Sequence, residues 1–477
     1  MEYESIIGLE VHVQMKTSSK LFCSCRAAFG REPNSLACPV CSGQPGALPV
    51  LNEEAFRLAI VAALALGCTV AEQNRFDRKN YFYPDLPKGY QISQFAYPLA
   101  TKGSIEFEGA DGGPRRIGIE RVHIEEDAGK IIHKADSGQS LVDLNRAGIP
   151  LLEIVSEPWA GTPAEARACL ESLRQLMRYA GISDCDMEKG SLRCDANLSL
   201  RPRAHTALGT RTEVKNLNSF RNVEKALLFE EARQKRILNG GGSIEQETRL
   251  WRDADGVTLV MRTKEEARDY RYFPEPDLPA FTVDERLLAE CASRLPEKPG
   301  DKRRRLIGAY GVSEYDARLL TADRNMADYF EACVAAGADP AAIAKWIAGP
   351  LLEELNRRGC AIGALGLRPS ALAGLAALVA SGELSRLSAT RLLPRLIDSG
   401  EEPADLVSAM GLGQISDEGA IEEMVRHTVA ARRAMAEEYR RGKDSVLNAL
   451  VGEVMKASQG KANPQKVRNL FRRILRP

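Results

Sequence analysis

Ile7-Gly8-Leu9-Glu10-Val11-His12-Val13-Gln14 is the stretch of sequence that decides the fold of the N-terminal region. Its residues alternate between apolar and polar, which is the pattern of a β-strand with one buried face. The polar face carries Glu10, His12 and Gln14, and the apolar residues between them lie on the other face. We therefore expect a strand that buries one side and presents ionisable groups on the other.

Three further stretches, residues 121–127, 193–200 and 211–215, repeat this alternation. Each predicts another strand with one polar face. The polar positions are His123, Glu125, Asp127, Asp195, Asn197, Ser199, Glu213 and Lys215. Carboxylate, imidazole, amide and ammonium groups on one face of a sheet can hold a hard divalent cation together with the phosphates that it neutralises. The pattern indicates an enzyme.

Length and charge limit the class of protein. The 477 residues exceed what one hydrophobic core usually serves, so two or three domains are expected. The 65 acidic residues balance the 65 basic ones, which excludes a uniformly basic nucleic-acid coat but allows local patches. No apolar run reaches the roughly 18 residues of a membrane span, and the N-terminus lacks a signal-peptide pattern. We expect a cytoplasmic protein that makes no contact with membranes.

Four of the 11 cysteines form the pattern C-x-C-x12-C-x2-C. They are Cys23, Cys25, Cys38 and Cys41. Four thiolates at this spacing are typical of tetrahedral zinc, and a sphere closed by four protein ligands is structural rather than catalytic. Chance clustering of reduced cysteines is the alternative. The sequence favours a structural zinc knuckle.

Composition divides the chain into three predicted domains. Residues 1–293 mix strand patterns, glycine turns and a few strong helices, which predicts a large α+β domain with a mixed, mainly antiparallel sheet shaped as a cradle. A Pro-rich linker over residues 295–301 precedes a basic run, and the rest of the chain has only helical patterns broken by glycines. Residues 294–412 are expected to form a helical domain, and residues 413–477 a helical tail domain.

Helix signals are clear at several places. A helix over residues 53–66 follows Asn52 as N-cap, and another begins at a capping box made by Thr162 and Glu165. A third is expected over residues 220–238.

The tail has two distinctive segments. Residues 417–441 predict one long, amphipathic and charged helix. Residues 461–477 carry six Lys or Arg and no acid, on a helix opened by Asn463 and Pro464. A solvated terminal helix is one interpretation, and contact with a phosphate backbone is the other.

Two loops combine aromatic, cationic and proline residues. They cover residues 78–91 and 268–277. Rigid surface loops with packed tyrosines are one interpretation, but two such loops in one domain favour a binding site for phosphates and bases. The sequence contains no G-x-x-x-x-G-K-[ST], so a nucleotide would not bind through a P-loop.

Six motifs follow one another along the chain: residues 8–14, Cys38-Pro39-Val40-Cys41, 81–91, 122–130, 193–197 and 212–221. Together they closely resemble one known family, the B subunits of the tRNA-dependent amidotransferases that amidate Glu-tRNA(Gln) and Asp-tRNA(Asn). The resemblance covers essentially the whole chain. The helical tail is similar to the tRNA-binding tail domain of that family.

The resemblance implies a reaction and an assembly. ATP would phosphorylate the side-chain carboxylate of the misacylated residue, and ammonia would then displace phosphate from the acyl phosphate, with Mg²⁺ neutralising phosphate charge. Ammonia would come from a partner amidase, the A subunit. The small C subunit would complete a heterotrimer that acts on misacylated tRNA.

The resemblance also implies roles for particular residues. Candidate Mg²⁺ ligands are Glu10, His12, Glu125 and Glu213, of which the first three are also the candidate catalytic residues. Candidates for nucleotide or phosphate contact are Lys79, Asp195, Asn197 and Lys215. Asp195 is alternatively an ion-pair partner of Arg193, and Asn197 a group that satisfies backbone hydrogen bonds. The four cysteines support a bound structural Zn²⁺.

Two other functions are compatible with parts of the sequence. One is an ATP-dependent ligase for a small free acid, but the basic terminal helix argues against it because a small substrate needs no such arm. The other is a zinc-containing RNA-binding module without catalysis. An anionic pocket repels phosphate unless a cation occupies it, so the alternating acids argue against the second function.

Overall fold

The computed structural model describes residues 2–134, 138–203, 205–263, 270–414, 417–458 and 461–475. Parts of the predicted segments lie outside these ranges, namely Arg268, Asp269, Ile415, Ser416, Arg476 and Pro477. The chain divides into two compact units, Met1–Lys298 and Pro299–Pro477, and each is a body of its own.

Most strands of the first unit belong to one large sheet. The strands of its described residues are β1 (Tyr3–Gln14), β2 (Thr69–Val70), β3 (Gln73–Asn74), β4 (Asp77–Asn80), β5 (Tyr90–Ser93), β6 (Ala100–Glu108), β7 (Pro114–Glu126), β8 (Lys130–His133), β9 (Ser140–Asp143), β10 (Pro150–Ser156), β11 (Trp159–Ala160), β12 (Leu192–Pro202), β13 (Thr212–Lys215), β14 (Glu247–Arg252), β15 (Val257–Thr263), β16 (Phe273–Pro274) and β17 (Phe281–Thr282). Ten of them form a sheet in the order β15-β14-β13-β12-β1-β10-β7-β6-β2, with β11 beside β1. Its described pairings are antiparallel except for the β13–β14 pair, which is parallel. The prediction of a mixed, mainly antiparallel sheet is confirmed.

The helices in the described part of the first unit are α1 (Glu53–Ala65), α2 (Pro163–Tyr179), α3 (Phe220–Asn239) and α4 (Glu285–Ser293). The first three begin where the sequence predicts, whereas α4 was not predicted. The side chain of Asn52 caps α1, and Thr162 and Glu165 form the reciprocal capping box of α2. Because α3 joins β13 to the parallel strand β14, it supplies the long crossover that a parallel pair requires.

The apolar face of the sheet builds the core. Leu9, Val11 and Val13 are 3%, 2% and 0% exposed, as the alternation predicts. Helices α2 and α3 pack on each other and on strands β6 and β12. The small sheet β16-β4-β5 lies beside β7 and contributes side chains to a cavity with the polar face of the large sheet. The polar groups therefore point into a cleft instead of into open solvent.

The second unit is helical throughout its described residues. Its helices are α5 (Pro299–Tyr310), α6 (Glu314–Leu320), α7 (Arg324–Ala335), α8 (Pro340–Trp346), α9 (Leu352–Arg358), α10 (Pro369–Ala380), α11 (Arg386–Ser399), α12 (Pro403–Ala409), α13 (Glu418–Ala431), α14 (Arg433–Arg440), α15 (Ser445–Ala457) and α16 (Pro464–Leu475). A π-helical turn, Ile347–Leu351, joins α8 to α9, and a 3₁₀ turn covers Ile362–Ala364. Two apolar cores lie within this unit, one formed by buried residues between Leu306 and Val407, the other by residues between Ile421 and Leu475. None of the described helices has both the length and the apolar character that crossing a membrane requires.

The single long helix predicted over residues 417–441 is wrong. The chain leaves helical geometry at Arg432, with φ −118° and ψ 47°, and α13 and α14 are separate. A straight helix of that length would extend about 37 Å, roughly twice the length of α15 or α16, so much of its apolar side would have no partner. The break lets Ile421 and Tyr439 share one small core.

The predicted linker is also shorter than expected, because α5 already begins at Pro299. Proline is well tolerated in a first helical turn. The basic run that follows is not a free patch: Lys302 is 6% exposed and pairs with Asp328 and Glu331, and Arg305 pairs with Glu331 at 2.6 Å.

Candidate active site

Five adjacent strands carry the polar face of the sheet. Their order is β7, β10, β1, β12 and β13. The antiparallel register places Glu153 of β10 opposite both His12 of β1 and His123 of β7. It also places Glu10 of β1 opposite Asp195 of β12. Since side chains of directly opposed residues lie close together, the register alone assembles a cluster of titratable groups.

His12, His123, Glu125 and Glu153 form one group, which we call the histidine–carboxylate cluster. Nε2 of His12 lies 3.3 Å from Glu153 Oε2 and 3.7 Å from Glu125 Oε1. Nε2 of His123 lies 3.1 Å from the same Glu153 oxygen. Glu125 and Glu153 are only 3% and 6% exposed. One oxygen of Glu125 and one of Glu153 lie within 4.8 Å of each other, and two buried carboxylates this close require nearby positive charge.

The pKa values in this cluster show how that requirement is met. Burial alone would lower the pKa of His123, but Glu153 and Glu125 outweigh it and raise that pKa to about 9. Burial alone would raise the pKa of Glu153, but the two imidazoles lower it below its usual range. The pKa of Glu125 is likewise lowered by His123 and His12 despite burial. The carboxylates are thus held in the charged form that a metal ligand needs.

Glu10, Asp195 and Glu213 form a second group, which we call the carboxylate cluster. One oxygen of each lies within 4.8 Å of the others. Lys215 bridges this cluster, since its Nζ pairs with Asp195 and lies 2.9 Å from Glu213 Oε1. Burial and the neighbouring Glu153 raise the pKa of Glu10 to about 7. Because Glu153 acts on Glu10 from the neighbouring strand, the two clusters adjoin.

Two cavities, of about 580 Å³ and about 430 Å³, meet at these clusters. The residues that line both are His12, Lys79, Asp195, Lys215 and Tyr270. Glu153 faces the larger cavity, whereas Glu125 faces the smaller one. The histidine–carboxylate cluster therefore lies where ligands in the two cavities could meet.

All eight residues singled out for the catalytic cleft line these cavities. Seven line the larger cavity, namely Glu10, His12, Lys79, Asp195, Asn197, Glu213 and Lys215, and Glu125 lines the smaller. The four candidate Mg²⁺ ligands do not form one set, however. Glu10 and Glu213 belong to the carboxylate cluster, while His12 and Glu125 belong to the other. Asp195, expected at the nucleotide, lies among the carboxylates, so its role and those of the other residues stay predictions.

Glu153 and His123 were missed as site residues. Glu153 is the only acid in β10, whose other residues are apolar or hydroxyl-bearing. A lone carboxylate inside such a run is a usable signal, because it must be paired if it is buried. His123 shares the polar face with Glu125 but was not selected. Its Nδ1 is buried and has no hydrogen-bond partner among the described residues.

The two aromatic and cationic loops meet at the larger cavity. Residue Phe273 pairs with Arg78 in the small sheet, and Nζ of Lys79 lies 5.0 Å from the centre of the Tyr270 ring. Tyr272 stacks on Phe95 at 4.1 Å between ring centres. The wall of this cavity is thus aromatic and cationic, which favours a binding site over the packing of surface tyrosines.

The four cysteines of the predicted knuckle also converge. Their Sγ atoms lie within 4.8 Å of one another, and those of Cys38 and Cys41 are 3.9 Å apart. Zinc–sulfur bonds of about 2.3 Å place tetrahedral sulfurs roughly 3.8 Å apart, so the group fits one zinc ion. A hydrogen bond from Cys23 lowers the pKa of Cys41 to about 4. Lys20, which is fully buried, donates to Cys41 Sγ at 3.4 Å.

Comparison with known proteins identifies the class first. Residues 5–289 match the GatB/GatE catalytic domain, and residues 328–475 match the GatB domain. The first match covers the sheet, both clusters and the knuckle, which defines a catalytic domain of the amidotransferase class.

Full-length relatives define the family. The chain is 50% identical over 474 residues to the B subunit of the aspartyl/glutamyl-tRNA(Asn/Gln) amidotransferase of Carboxydothermus hydrogenoformans, covering 99% of this chain and 98% of the relative. It is 50% identical over 477 residues to the protein of the same name from Moorella thermoacetica, covering all of both chains. The corresponding protein of Solidesulfovibrio magneticus is also 50% identical, over 473 residues and 99% of each chain. The chain therefore belongs to the B-subunit family of the tRNA-dependent amidotransferases, and the predicted resemblance is confirmed.

Proposed function

We propose that this chain uses ATP to phosphorylate the side-chain carboxylate of glutamate or aspartate carried by a misacylated tRNA, and that it then transfers ammonia to the activated acyl group. A carboxylate oxygen attacks the γ-phosphorus and ADP leaves. Ammonia next attacks the acyl carbon, and phosphate leaves with the electron pair of the broken bond. No covalent bond to the protein is needed, so catalysis depends on positioning and charge.

The observation that carries this proposal is the position of the two clusters at the junction of two cavities. A phosphoryl donor in the larger cavity and a carboxylate in the smaller one would meet beside His12 and Lys79, which line both. Lys79 keeps its positive charge there: burial alone would lower its pKa, but Glu125 and other neighbours raise it overall. An ammonium group at this point can pair with phosphate oxygens during transfer.

The donor atoms fit a divalent cation. The carboxylate cluster offers oxygen ligands alone, which suits Mg²⁺, and Lys215 already balances part of its charge. The histidine–carboxylate cluster adds an imidazole nitrogen to two carboxylates. Bound Mg²⁺ would neutralise charge on the phosphates of ATP. We assign the cysteine group a structural zinc ion.

The partners follow from the family. We propose that an amidase, the A subunit, supplies ammonia and that the third member of the complex is the small C subunit. Misacylated tRNA is the substrate, and the tail is its main contact. In α16 the residues Val467, Leu470 and Phe471 are buried, whereas Lys466 and Arg472 are exposed. Exposed cations on a helix anchored by its apolar side suit a phosphate backbone.

The decisive experiment is purification of the full-length chain with its partner subunits, followed by incubation with Glu-tRNA(Gln) or Asp-tRNA(Asn), ATP, Mg²⁺ and glutamine. We expect amidated tRNA and about one ADP per amide formed. Free glutamate in place of the charged tRNA is the control, and ADP release with it would favour a small-acid ligase. Failure to amidate either tRNA would contradict the proposal.

Deletion of residues 417–477 tests the tail. We expect a Kd for tRNA about 10- to 100-fold higher at moderate salt, because several phosphate contacts are lost. The melting temperature of the first unit should stay nearly the same. An unchanged Kd would remove the tail from the proposal.

A further inference from the structure

The smaller cavity contains charges that neither metal binding nor phosphate transfer explains. Of the residues that the structure describes, four acids line it, Asp85, Glu125, Asp127 and Asp195, together with Arg193 and the apolar side chains of Leu86, Leu151 and Met261. An amino acid esterified to tRNA through its carboxyl group presents an anionic side chain, a short methylene stem and a free α-ammonium group. A pocket for it must offer a cation, an apolar wall and an anion.

Among the described residues, Arg193 is the one Lys or Arg that lines the smaller cavity without also lining the larger one. Its Nη2 donates to Asp127 Oδ1 at 2.8 Å, which fixes the guanidinium group. Its Nε is buried and has no hydrogen-bond partner among the described residues. Since Asp127 orients the guanidinium group through Nη2 and the Nε–H has no acceptor in the described part of the chain, the group is well suited to pair with a carboxylate.

Three of the four acids are already engaged. Asp127 is 2% exposed, and its Oδ1 accepts from Arg193 while its Oδ2 accepts from Gln14 at 2.7 Å. Glu125 belongs to the histidine–carboxylate cluster, and Asp195 pairs with Lys215. Both oxygens of Asp127 are therefore occupied, and Glu125 and Asp195 belong to the two clusters that we assign to the divalent cation.

Asp85 is different. Its Oδ1 is buried and accepts no hydrogen bond from the described residues. The backbone of Asp85 is held in place, because the N–H of Gly129 donates to the Asp85 carbonyl at 2.9 Å. A Cβ on Gly129 would lie 3.1 Å from that carbonyl oxygen, so the loop and Gly129 are packed closely. Gly129 follows Asp127 by two residues, which places Asp85 and the partner of Arg193 on neighbouring parts of the cavity wall.

We propose that the smaller cavity is the aminoacyl pocket, in which Asp85 pairs with the free α-ammonium group and Arg193 with the side-chain carboxylate of the esterified amino acid. This inference rests on the proposed function and names the part of the cleft that recognises the acyl group. Leu86, Leu151 and Met261 contact the methylene stem. The side-chain carboxylate then points to the shared wall at His12 and Lys79, where the phosphoryl donor reaches it.

The test compares Glu-tRNA(Gln) with its deaminated analogue, 2-hydroxyglutaryl-tRNA(Gln), in which a hydroxyl group replaces the α-ammonium group at nearly the same size. The complex with the amidase is assayed with ATP and ammonium chloride. For the wild type we expect kcat/KM about 10- to 100-fold lower with the analogue, since a charge-assisted hydrogen bond is lost. For Asp85→Asn the two substrates should be used almost equally.

Asp111→Asn is the matched control, because Asp111 lies in an exposed turn and should keep the wild-type preference. Arg193→Lys gives a second readout: the KM for charged tRNA should rise about tenfold or more while the KM for ATP stays the same. Equal use of both substrates by the wild type, or an undiminished preference in Asp85→Asn, would overturn the pocket. A rise in the KM for ATP in Arg193→Lys would contradict the assignment of Arg193. If the wild type amidates neither substrate, the proposed function itself fails.

Discussion

The cysteine knuckle and the polar cleft both gather groups that bind cations, but they do so in different ways. In the knuckle four cysteines within 18 residues of each other surround one point, so a metal there has all its positions filled by the protein. In the cleft each cluster offers three ligand atoms and opens into a cavity. A cation in the cleft keeps positions for phosphate or water, whereas one in the knuckle does not. We therefore propose that a cation in the knuckle stabilises the fold, whereas one in the cleft takes part in the chemistry.

The largest effect is expected for Glu125→Gln. It removes one charge from the histidine–carboxylate cluster at the junction of the two cavities, and amide formation should fall by about 10³-fold or more. The Kd for tRNA should be nearly unchanged, because the tail, which we propose as the main contact with tRNA, is left intact. Steady-state amidation and filter binding measure the two quantities. Normal turnover with weakened tRNA binding would show that the cleft is not the site of chemistry.

Glu106→Gln is a suitable control for this change. Glu106 is an exposed residue of β6, away from the residues that line the two cavities. The turnover of the Glu106→Gln variant should equal that of the wild type.

A metal analysis tests the proposed difference between the knuckle and the cleft. We expect about one tightly held zinc ion per chain, which Cys38→Ser should remove. Loss of a structural zinc should cost roughly 3–5 kcal/mol of stability, less than in isolated zinc fingers because the large sheet remains. At low temperature kcat should fall less than tenfold. If no zinc is found, the four cysteines are a chance cluster, and if kcat is abolished in the folded variant, the knuckle is not merely structural.

A pair of glycine substitutions gives the smallest and most local test. Gly43 of the knuckle has φ +70°, and a Cβ there would lie 2.6 Å from Lys88 Cγ and 2.8 Å from Lys88 N. Gly46 has φ +83° with nothing within 4 Å, so it shares the backbone strain without the close approach. Gly46→Ala should cost about 1–2 kcal/mol and Gly43→Ala about 1–2 kcal/mol more, measured by urea unfolding. Equal losses would mean that the knuckle and the Lys88 loop do not support each other.

Much of the fold could be predicted because its signals are local. Alternation predicted β1 and β12, and capping residues predicted the starts of α1 and α2. The break at Arg432 could not be predicted, because neither Gly nor Pro marks it and its cause is the short length of the neighbouring helices. The start of α5 could not be predicted either, because Pro299 suits a linker and a first helical turn equally well.

The candidate site also has features that the sequence predicts and features that it does not. The sequence by itself determined the family, the four strands β1, β7, β12 and β13, and the kinds of ligand atom, since these depend on residue identity and on spacing within one segment. Only the tertiary structure decided which ligands belong together. Glu153 joins His12 because β10 lies between β1 and β7, an order set by packing across the sheet and by residues distant in the chain. The separation into two clusters and two cavities follows from that order, and a periodicity within one strand contains no information about its neighbours.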